Sequence, residues 1–250
     1  MTSQRNQVWL WTATAAAMAT SIGYYFLRNE NKRKIRQRSI ADFVQGISIA
    51  AITPQQALQL ITQRRSIFPK QYSAEQVSKQ VLKDMLEAAR WAPSHHLTQP
   101  WHFIVFETLE QRNKLGLFLA DHYQDTQELN HKEVSPRKFA KKIANCEKAS
   151  YIVALCVKTN TRNAVLEEVC SVACAVQNMH LVATAHKVAA HWSSSAVFSN
   201  DGTTPPSVLE FLDLPVDEYL CLGWMFVGGV DAWPKQSQRK PCSSQVFGES

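Results

Sequence analysis

Two arginines and a serine stand side by side at Arg64-Arg65-Ser66, where a predicted helix ends. A guanidinium group presents paired N–H donors that match the oxygens of a phosphate, and a serine hydroxyl adds a further donor. The triplet is therefore a candidate phosphate site. An arginine pair at a helix end is also common on solvated surfaces, so the triplet alone leaves both interpretations open.

A polar loop bracketed by two prolines, residues 92–103 (APSHHLTQPWHF), leads directly into an apolar strand. Loops that are positioned by rigid elements often carry binding residues. His95 and His96 supply hydrogen-bonding groups and Trp101 supplies aromatic surface, which together suit a planar heterocycle. An ordinary helix-to-strand connection with exposed histidines would have a similar composition.

A third segment, residues 191–195 (HWSSS), follows the longest apolar helix of the sequence. Its hydroxyl and backbone N–H groups are suited to the polar edge of a planar ring such as a flavin. Taken alone, the segment is more typical of a serine-rich turn.

Several common catalytic motifs are missing from the sequence. It contains no G-x-x-x-x-G-K-[ST], no H-E-x-x-H, no G-x-S-x-G and no G-x-G-x-x-G. A nicotinamide cofactor is therefore not held by a dinucleotide-binding domain of the Rossmann type. The eight histidines show no metal-ligand spacing, so no metal site is predicted.

The composition is that of a globular protein, with 45% hydrophobic and 19% charged residues among 250. Seven of the 27 Lys and Arg residues, but only one of the 21 acidic residues, lie in residues 1–38. The rest of the chain is therefore neutral, which argues against binding to nucleic acid.

Residues 8–27 carry no charge and would span roughly 30 Å as a helix, the thickness of a bilayer core. Tryptophans lie at one end of this segment and tyrosines at the other, and six basic residues follow within residues 28–38. The positive-inside rule then predicts a single-pass membrane anchor with the C-terminal body facing the cytosol. A segment so poor in acids is also typical of an organelle-targeting sequence, which stays an open alternative.

These patterns divide the chain into three parts. We expect a transmembrane anchor with its basic collar at 1–38, a connector at 39–52 and one domain at 53–250. The six cysteines form no C-x-x-C pair, which favours a reduced compartment. Cys170 and Cys174 lie four residues apart on a predicted helix, and we expect them to face the core.

Periodicity and capping signals predict six helices and four strands in the domain. The helices are expected to begin near residues 53, 73–76, 109, 135–136, 164 and 205–206. The strands are expected at residues 101–106, 151–157, 188–192 and 219–227, and the tail, 231–250, is expected to be irregular. This order predicts an α+β domain with one sheet covered by helices.

The three segments together resemble the FMN-dependent nitroreductase family, in particular its short, single-domain bacterial-type members. The resemblance rests on the R-R-S triplet, the A-P-x-H-x-x-x-Q-P-W-H-F block and the long helix that leads into a W-x-S turn, and it covers roughly residues 53–230. It implies an α+β fold with a mixed, mainly antiparallel sheet. It also implies an obligate homodimer with two FMN sites at the subunit interface.

The resemblance implies a phosphate site near the start of the domain. Arg64 and Arg65 would contact the FMN phosphate and ribityl chain, with Ser66 beside them. A basic residue near the C-terminus often completes this site in the family, and Arg239 or Lys240 could serve here.

The resemblance implies a second group of residues around the flavin ring. His95 would reach the FMN of the partner subunit, and Trp192, Ser193 and Ser194 would line the same FMN. Trp91 stands where short family members often carry an arginine.

The implied activity is a ping-pong reduction. NAD(P)H would deliver hydride to the flavin and leave before a small acceptor, a nitroaromatic, quinone or enone compound, enters the same pocket. The cofactor supplies this chemistry, so no catalytic side chain is predicted. The alternative is a flavin-binding sensor or scaffold without NAD(P)H turnover. One feature supports this alternative. Residues 186–190 lack the glycines that the family tends to have there, and Lys or His adopts a left-handed backbone less readily than glycine does.

Overall fold

Four antiparallel strands form one sheet in the order β1-β2-β4-β3. The computed structural model describes residues 52–159, 161–199 and 202–244. Within these ranges the strands are β1 (Trp101–Phe106), β2 (Tyr151–Lys158), β3 (Ala189–Ser193) and β4 (Tyr219–Gly228). The predicted α+β class and mainly antiparallel sheet are confirmed.

Six helices accompany the sheet in the described ranges. They are α1 (Pro54–Gln63), α2 (Lys79–Ala89), α3 (Leu109–Leu129), α4 (Pro136–Lys148), α5 (Val165–Ala185) and α6 (Pro206–Phe211). Two short 3-10 turns lie at Pro69–Gln71 and His95–Leu97. The helix α3 begins at its predicted position, with a complete capping box between Thr108 and Gln111.

Helices cover both faces of the sheet and create two apolar layers. Met85 of α2 and Met179 of α5 are fully buried on one face. Leu115 of α3 and Cys146 of α4 are fully buried on the other. The strand β2 lies between these layers, and seven of its eight residues are buried, as expected for a strand that is covered on both sides.

The second helix begins later than its sequence predicts. Ser78 is the N-cap of α2, and the predicted start at residues 73–76 is wrong. The Ser73 N–H donates to the Gly229 carbonyl at 3.0 Å, and the Val77 N–H donates to Ser150 Oγ at 3.0 Å. Contacts with distant residues therefore hold this segment extended, against its local capping signal.

Gly228 allows that extended segment to cross the end of β4. A Cβ atom at Gly228 would come within 2.3 Å of the Tyr72 ring. The Tyr72 hydroxyl donates to the Phe226 carbonyl at 3.0 Å, so the ring is held against the strand.

The predicted anchor at residues 8–27 and the basic collar lie outside the described residues, as does most of the 39–52 connector. Among the residues that the structure describes, no helix has the length and apolar character needed to cross a bilayer. The described residues from Gln55 onward belong to one compact unit.

Candidate functional site

The Arg64-Arg65-Ser66 triplet lies against the edge of the sheet. Ser66 forms a parallel bridge with Ala190 of β3, and the Ile67 N–H donates to the Ala190 carbonyl at 3.0 Å. Ile67 is fully buried. Because this apolar side chain anchors the segment, the triplet is positioned beside β3 rather than at a loose helix end.

Positive charges concentrate at the triplet. Partial burial lowers the pKa of the Arg64 guanidinium, and the nearby Arg239 and Arg65 lower it further. Arg64 Nη1 lies 3.5 Å from Ser66 Oγ. Among the described residues, none of these three arginines forms an ion pair with a carboxylate. The cluster therefore has an uncompensated positive charge that an anion would neutralise.

The C-terminal tail brings Arg239 to this cluster. The Trp233 indole N–H donates to the Gln63 carbonyl at 3.0 Å, which fastens the tail to the end of α1. The tail has no regular secondary structure in its described part, as predicted. Arg65 lines a cavity of about 360 Å³ with Trp233, and its Nε is buried without a hydrogen-bond partner.

A groove runs from the arginine cluster along α5. It consists of two adjoining cavities of about 320 and 310 Å³, both lined by Ala173 and Trp192. Arg64 and Ser66 line the first cavity, and Ser194 lines the second. We call these two cavities together the α5 groove. It joins a cationic end to an apolar, tryptophan-lined side.

A close approach of two strands holds Trp192 in the groove. The Trp192 indole N–H donates to the Leu222 carbonyl at 2.8 Å. Gly223 follows with φ +137°, and a Cβ atom there would lie 2.4 Å from the Ser193 carbonyl oxygen and 2.6 Å from Trp192 Nε1. Glycine at this position is therefore required by both conformation and space.

The sequence pattern of the nitroreductase family matches residues 61–229. The chain belongs to this family. The match includes the triplet, the polar loop, α5 and the whole sheet.

Individual relatives agree with this assignment. A Bacillus subtilis protein provisionally named NAD(P)H nitroreductase YfhC is 40% identical over 62 residues, which are 24% of this chain and 31% of that protein. The chain thus matches less than a third of this curated relative. Among solved structures, a nitroreductase-like family protein from Bacillus cereus superimposes with a TM-score of 0.62 at 20% identity, covering 80% of this chain and 100% of that one. A nitroreductase with bound FMN from Bacteroides fragilis superimposes with a TM-score of 0.56 at 22% identity, covering 76% of this chain and 97% of that one.

The polar loop lies at the start of α5. His95 Nδ1 lies 2.9 Å from Glu167 Oε2, and the rings of His95 and His96 stack with centroids 3.8 Å apart. Glu167 and Gln177 lie on the same helix roughly 15 Å apart, at about 1.5 Å per residue. Because Gln177 lines the α5 groove, one chain does not bring His95 to the Arg64 end of that groove.

The polar loop has a strained backbone that α5 holds in place. His96, Leu97 and Gln99 have φ between +50° and +54°, which costs a non-glycine residue about 1–3 kcal/mol. Sequence reasoning missed the residue that stabilises this loop, Glu168. Its carboxylate is fully buried and accepts hydrogen bonds from Thr98, at 2.8 Å, and from Thr161.

Sequence reasoning also missed two polar residues of α5 in the groove, Gln177 and His180. Burial, with Arg64 and His191 nearby, lowers the pKa of His180 to about 4, so its imidazole is neutral near pH 7. Its Nδ1 is buried without a hydrogen-bond partner. The signal that could have identified them is the spacing of three residues, which places the glutamine and the histidine on the same face of the helix.

The structure separates the three predicted ring contacts at the end of β3, which are Trp192, Ser193 and Ser194. Trp192 and Ser194 line the α5 groove. The side chain of Ser193 lines a different cavity on the opposite face of the sheet, as period-two alternation along a strand requires. The side chain of Ser193 therefore does not line the α5 groove.

Two other predicted features differ from expectation. Cys170 and Cys174 are exposed and do not face the core, because α5 leaves a stripe uncovered that also includes Leu166, which is 73% exposed. Lys187 adopts φ +55° after α5, so a lysine takes the left-handed position that glycine commonly fills.

Trp91, which replaces the usual arginine, is 65% exposed and donates its indole N–H to Glu87 at 2.9 Å. Arg90 pairs with the same carboxylate at 3.2 Å.

Within the described ranges, no group of three or more His, Cys, Asp or Glu residues is arranged to hold a metal ion.

Proposed function

We propose that this nitroreductase is an FMN-dependent oxidoreductase that uses NAD(P)H to reduce a small acceptor of the nitroaromatic, quinone or enone type. The observation that carries the proposal is the uncompensated cluster of Arg64, Arg65 and Arg239 at one end of a tryptophan-lined groove. A phosphate on an aromatic ring system has the matching shape and charge. Family membership and the FMN-bound Bacteroides fragilis relative support this choice of ligand.

The donors of this chain fit the phosphate end of FMN. Three guanidinium groups and the Ser66 hydroxyl would hold the phosphate. Arg65 Nε and His180 Nδ1 are buried polar atoms without partners, and such atoms in a native protein are usually completed by a ligand, water or a partner chain.

The other end of the groove suits the ring. Trp192 and Leu222 supply apolar surface that would exclude water, and Ser194 supplies a hydroxyl donor. Bound FMN supplies the chemistry of hydride transfer between the nicotinamide and the acceptor. The residues of this chain orient the two reactants and provide donors for negative charge on the reduced ring, so no catalytic side chain is required.

We also propose a homodimer in which α5 packs against a second copy. The exposed stripe of α5, with Leu166, Cys170 and Cys174, is apolar and lies beside the groove. In that assembly His95 would reach the FMN bound mainly by the partner subunit. A monomer in solution would contradict this part of the proposal.

The anchor at residues 8–27 stays a prediction that rests on the sequence alone. With it, the enzyme would be held at a membrane with its body facing the cytosol, and organelle targeting is the alternative. Removing residues 1–38 should release the protein from membranes without loss of flavin. Continued sedimentation of the shortened chain with membranes would exclude the anchor.

A flavin-binding sensor without NAD(P)H turnover is the second candidate. Lys187 favours the sensor. Its backbone is left-handed just before β3, and a glycine there would leave more room for a nicotinamide than the lysine side chain does.

One experiment separates these functions. The full chain is purified, supplied with FMN and desalted, its visible spectrum is recorded, and NADH or NADPH is added without oxygen. A flavin spectrum that bleaches supports the oxidoreductase, and a spectrum that stays oxidised supports the sensor. A folded protein that retains no FMN would contradict both.

A further inference from the structure

A second cavity, larger than either cavity of the α5 groove, lies on the opposite face of the sheet. Its volume is about 500 Å³. His191 and Ser193 of β3 line it, whereas Trp192 between them lines the α5 groove. We call it the lysine cavity, because Lys70, Lys138, Lys141 and Lys142 all line it. The sheet separates it from the proposed FMN site.

Three of these lysines come from one face of α4. Residues 138, 141, 142 and 145 follow the spacing of neighbours on a helix surface, and Asn145 also lines the cavity. No aspartate or glutamate is among the lining residues. In the described part of the chain, none of the four lysines forms an ion pair. The wall therefore carries positive charge that nothing in the cavity compensates.

Lys142 is the most enclosed of these cations. Its Nζ donates to Ser195 Oγ at 2.8 Å and lies 5.6 Å from the centroid of the Tyr123 ring. Burial lowers the pKa of this ammonium group, and the neighbouring Lys141 lowers it further. An anion in the cavity would relieve both effects.

The opposite side of the lysine cavity is apolar and aromatic. Phe68 is 50% exposed, and its ring lies 4.3 Å from the His191 ring, centroid to centroid. Leu119 and Phe226 are buried beneath them. His191 Nδ1 is buried without a hydrogen-bond partner. The cavity thus combines an open aromatic surface, an unsatisfied polar atom and a cationic rim.

We propose that the lysine cavity is a second ligand site, which binds a small aromatic anion: a carboxylate or phosphate monoester carried on an aromatic ring. The anionic group would be held by Lys138, Lys141 and Lys142, and the ring would pack on Phe68 and Leu119. A cavity of this volume lies within the size range of small-molecule sites. The site is concave, which favours a small molecule over a flat membrane surface.

The proposal can be tested by calorimetric titration of the full chain, saturated with FMN, against 1-naphthoate and 1-naphthyl phosphate. We expect both anions to bind, and the uncharged analogue 1-naphthylmethanol to bind about ten-fold more weakly or not at all. Binding should survive FMN saturation because the two sites lie on opposite faces of the sheet. Loss of naphthoate binding on adding FMN would place the anion in the α5 groove and overturn the proposal.

Variants identify the cavity. Exchanging Lys138→Met together with Lys141→Met removes two exposed charges and keeps the side-chain stems, so we expect affinity to fall about ten-fold or more at an unchanged Tm. Lys148→Met is the matched control, since this exposed lysine lies on the same helix but not in the cavity. Asn145→Asp adds a negative charge with almost no change of shape and should also weaken binding.

Besides competition with FMN, two kinds of result would overturn the proposal. One is that no aromatic anion binds, or that binding is equal in all variants. The other is that the lysine pair is needed only for sedimentation with vesicles of anionic phospholipid, which would make α4 a membrane-facing surface.

Discussion

Trp192 and Ser193 are neighbours on β3 whose side chains serve two different cavities. Trp192 lines the α5 groove and packs in the layer with α5, whereas Ser193 lines the lysine cavity on the other face of the sheet. The W and S of the W-x-S turn predicted from the sequence, Trp192 and Ser194, therefore face the α5 groove together, and only Ser193 between them faces away. Only alternate side chains of this strand can contact a ligand in the groove.

This alternation predicts that only one of two adjacent serines contributes to FMN affinity. Ser194→Ala removes a hydroxyl from the groove and should weaken FMN binding by about 0.5–1.5 kcal/mol, the usual value of one hydrogen bond. Ser193→Ala should leave FMN affinity unchanged. Fluorescence titration of the flavin measures both. The reverse order would show that FMN lies on the α4 side of the sheet.

The arginine cluster predicts a larger loss of FMN affinity. Arg64→Ala removes a charge-assisted contact and should weaken FMN binding by about 1.5–3 kcal/mol. Riboflavin, which lacks the phosphate, should bind wild type and variant alike. Arg137→Ala, at an exposed position of α4, is the control for loss of one positive charge. Equal losses for FMN and riboflavin would show that Arg64 does not contact the phosphate.

We expect Gly223→Ala to lower the stability of the protein, and Gly202→Ala provides the comparison. Gly223→Ala combines φ +137° with a Cβ atom 2.4 Å from the Ser193 carbonyl oxygen, and Gly202→Ala combines φ +82° with open space. We expect the free energy of unfolding to fall by about 1 kcal/mol at Gly202 and by at least about 3 kcal/mol at Gly223. Chemical denaturation of the two variants gives the comparison. Similar losses would mean that backbone conformation alone explains both.

His180 predicts a loss of stability in acid. Its pKa is lowered from 6.5 to about 4 in the folded protein, chiefly by burial. Below pH 6.5 the imidazole is therefore protonated in the unfolded chain but stays neutral in the folded chain. The free energy of unfolding falls as the pH drops from 6.5 toward 4. The loss from this one residue should approach about 3 kcal/mol.

The matched variants isolate this contribution. In FMN-free protein, His180→Asn should flatten the dependence of the unfolding free energy on pH over that range. His131→Asn removes an exposed histidine at a left-handed position that asparagine tolerates, so it is the control for the loss of one imidazole. Equal slopes in wild type and His180→Asn would show that His180 does not titrate in this range.

Local patterns were sufficient for most of the fold. The strand at 101–106 and the helix that begins at 109 lie where apolar runs and the capping box predict them, since these signals act over a few residues. The start of α2 was misplaced because the Ser73 and Val77 N–H groups bond to Gly229 and Ser150, which are distant in sequence. The end of α5 also departs from its local signal, because Lys187 takes the left-handed position that glycine usually fills. The N–H groups of Lys187 and Val188 donate to the Thr184 and Ala183 carbonyls, so this helix-ending pattern forms without glycine.

By itself, the sequence determined the family, the α+β class and the Arg64-Arg65-Ser66 triplet, because each depends on residue types in a fixed order. Only the tertiary structure decided which cations and side chains share a cavity. The tail brings Arg239 to Arg64, α5 contributes His180, and the strand turns Ser193 away. The physical reason is that a side chain's direction and its long-range neighbours depend on how elements pack, and neither is encoded in the spacing of nearby residues.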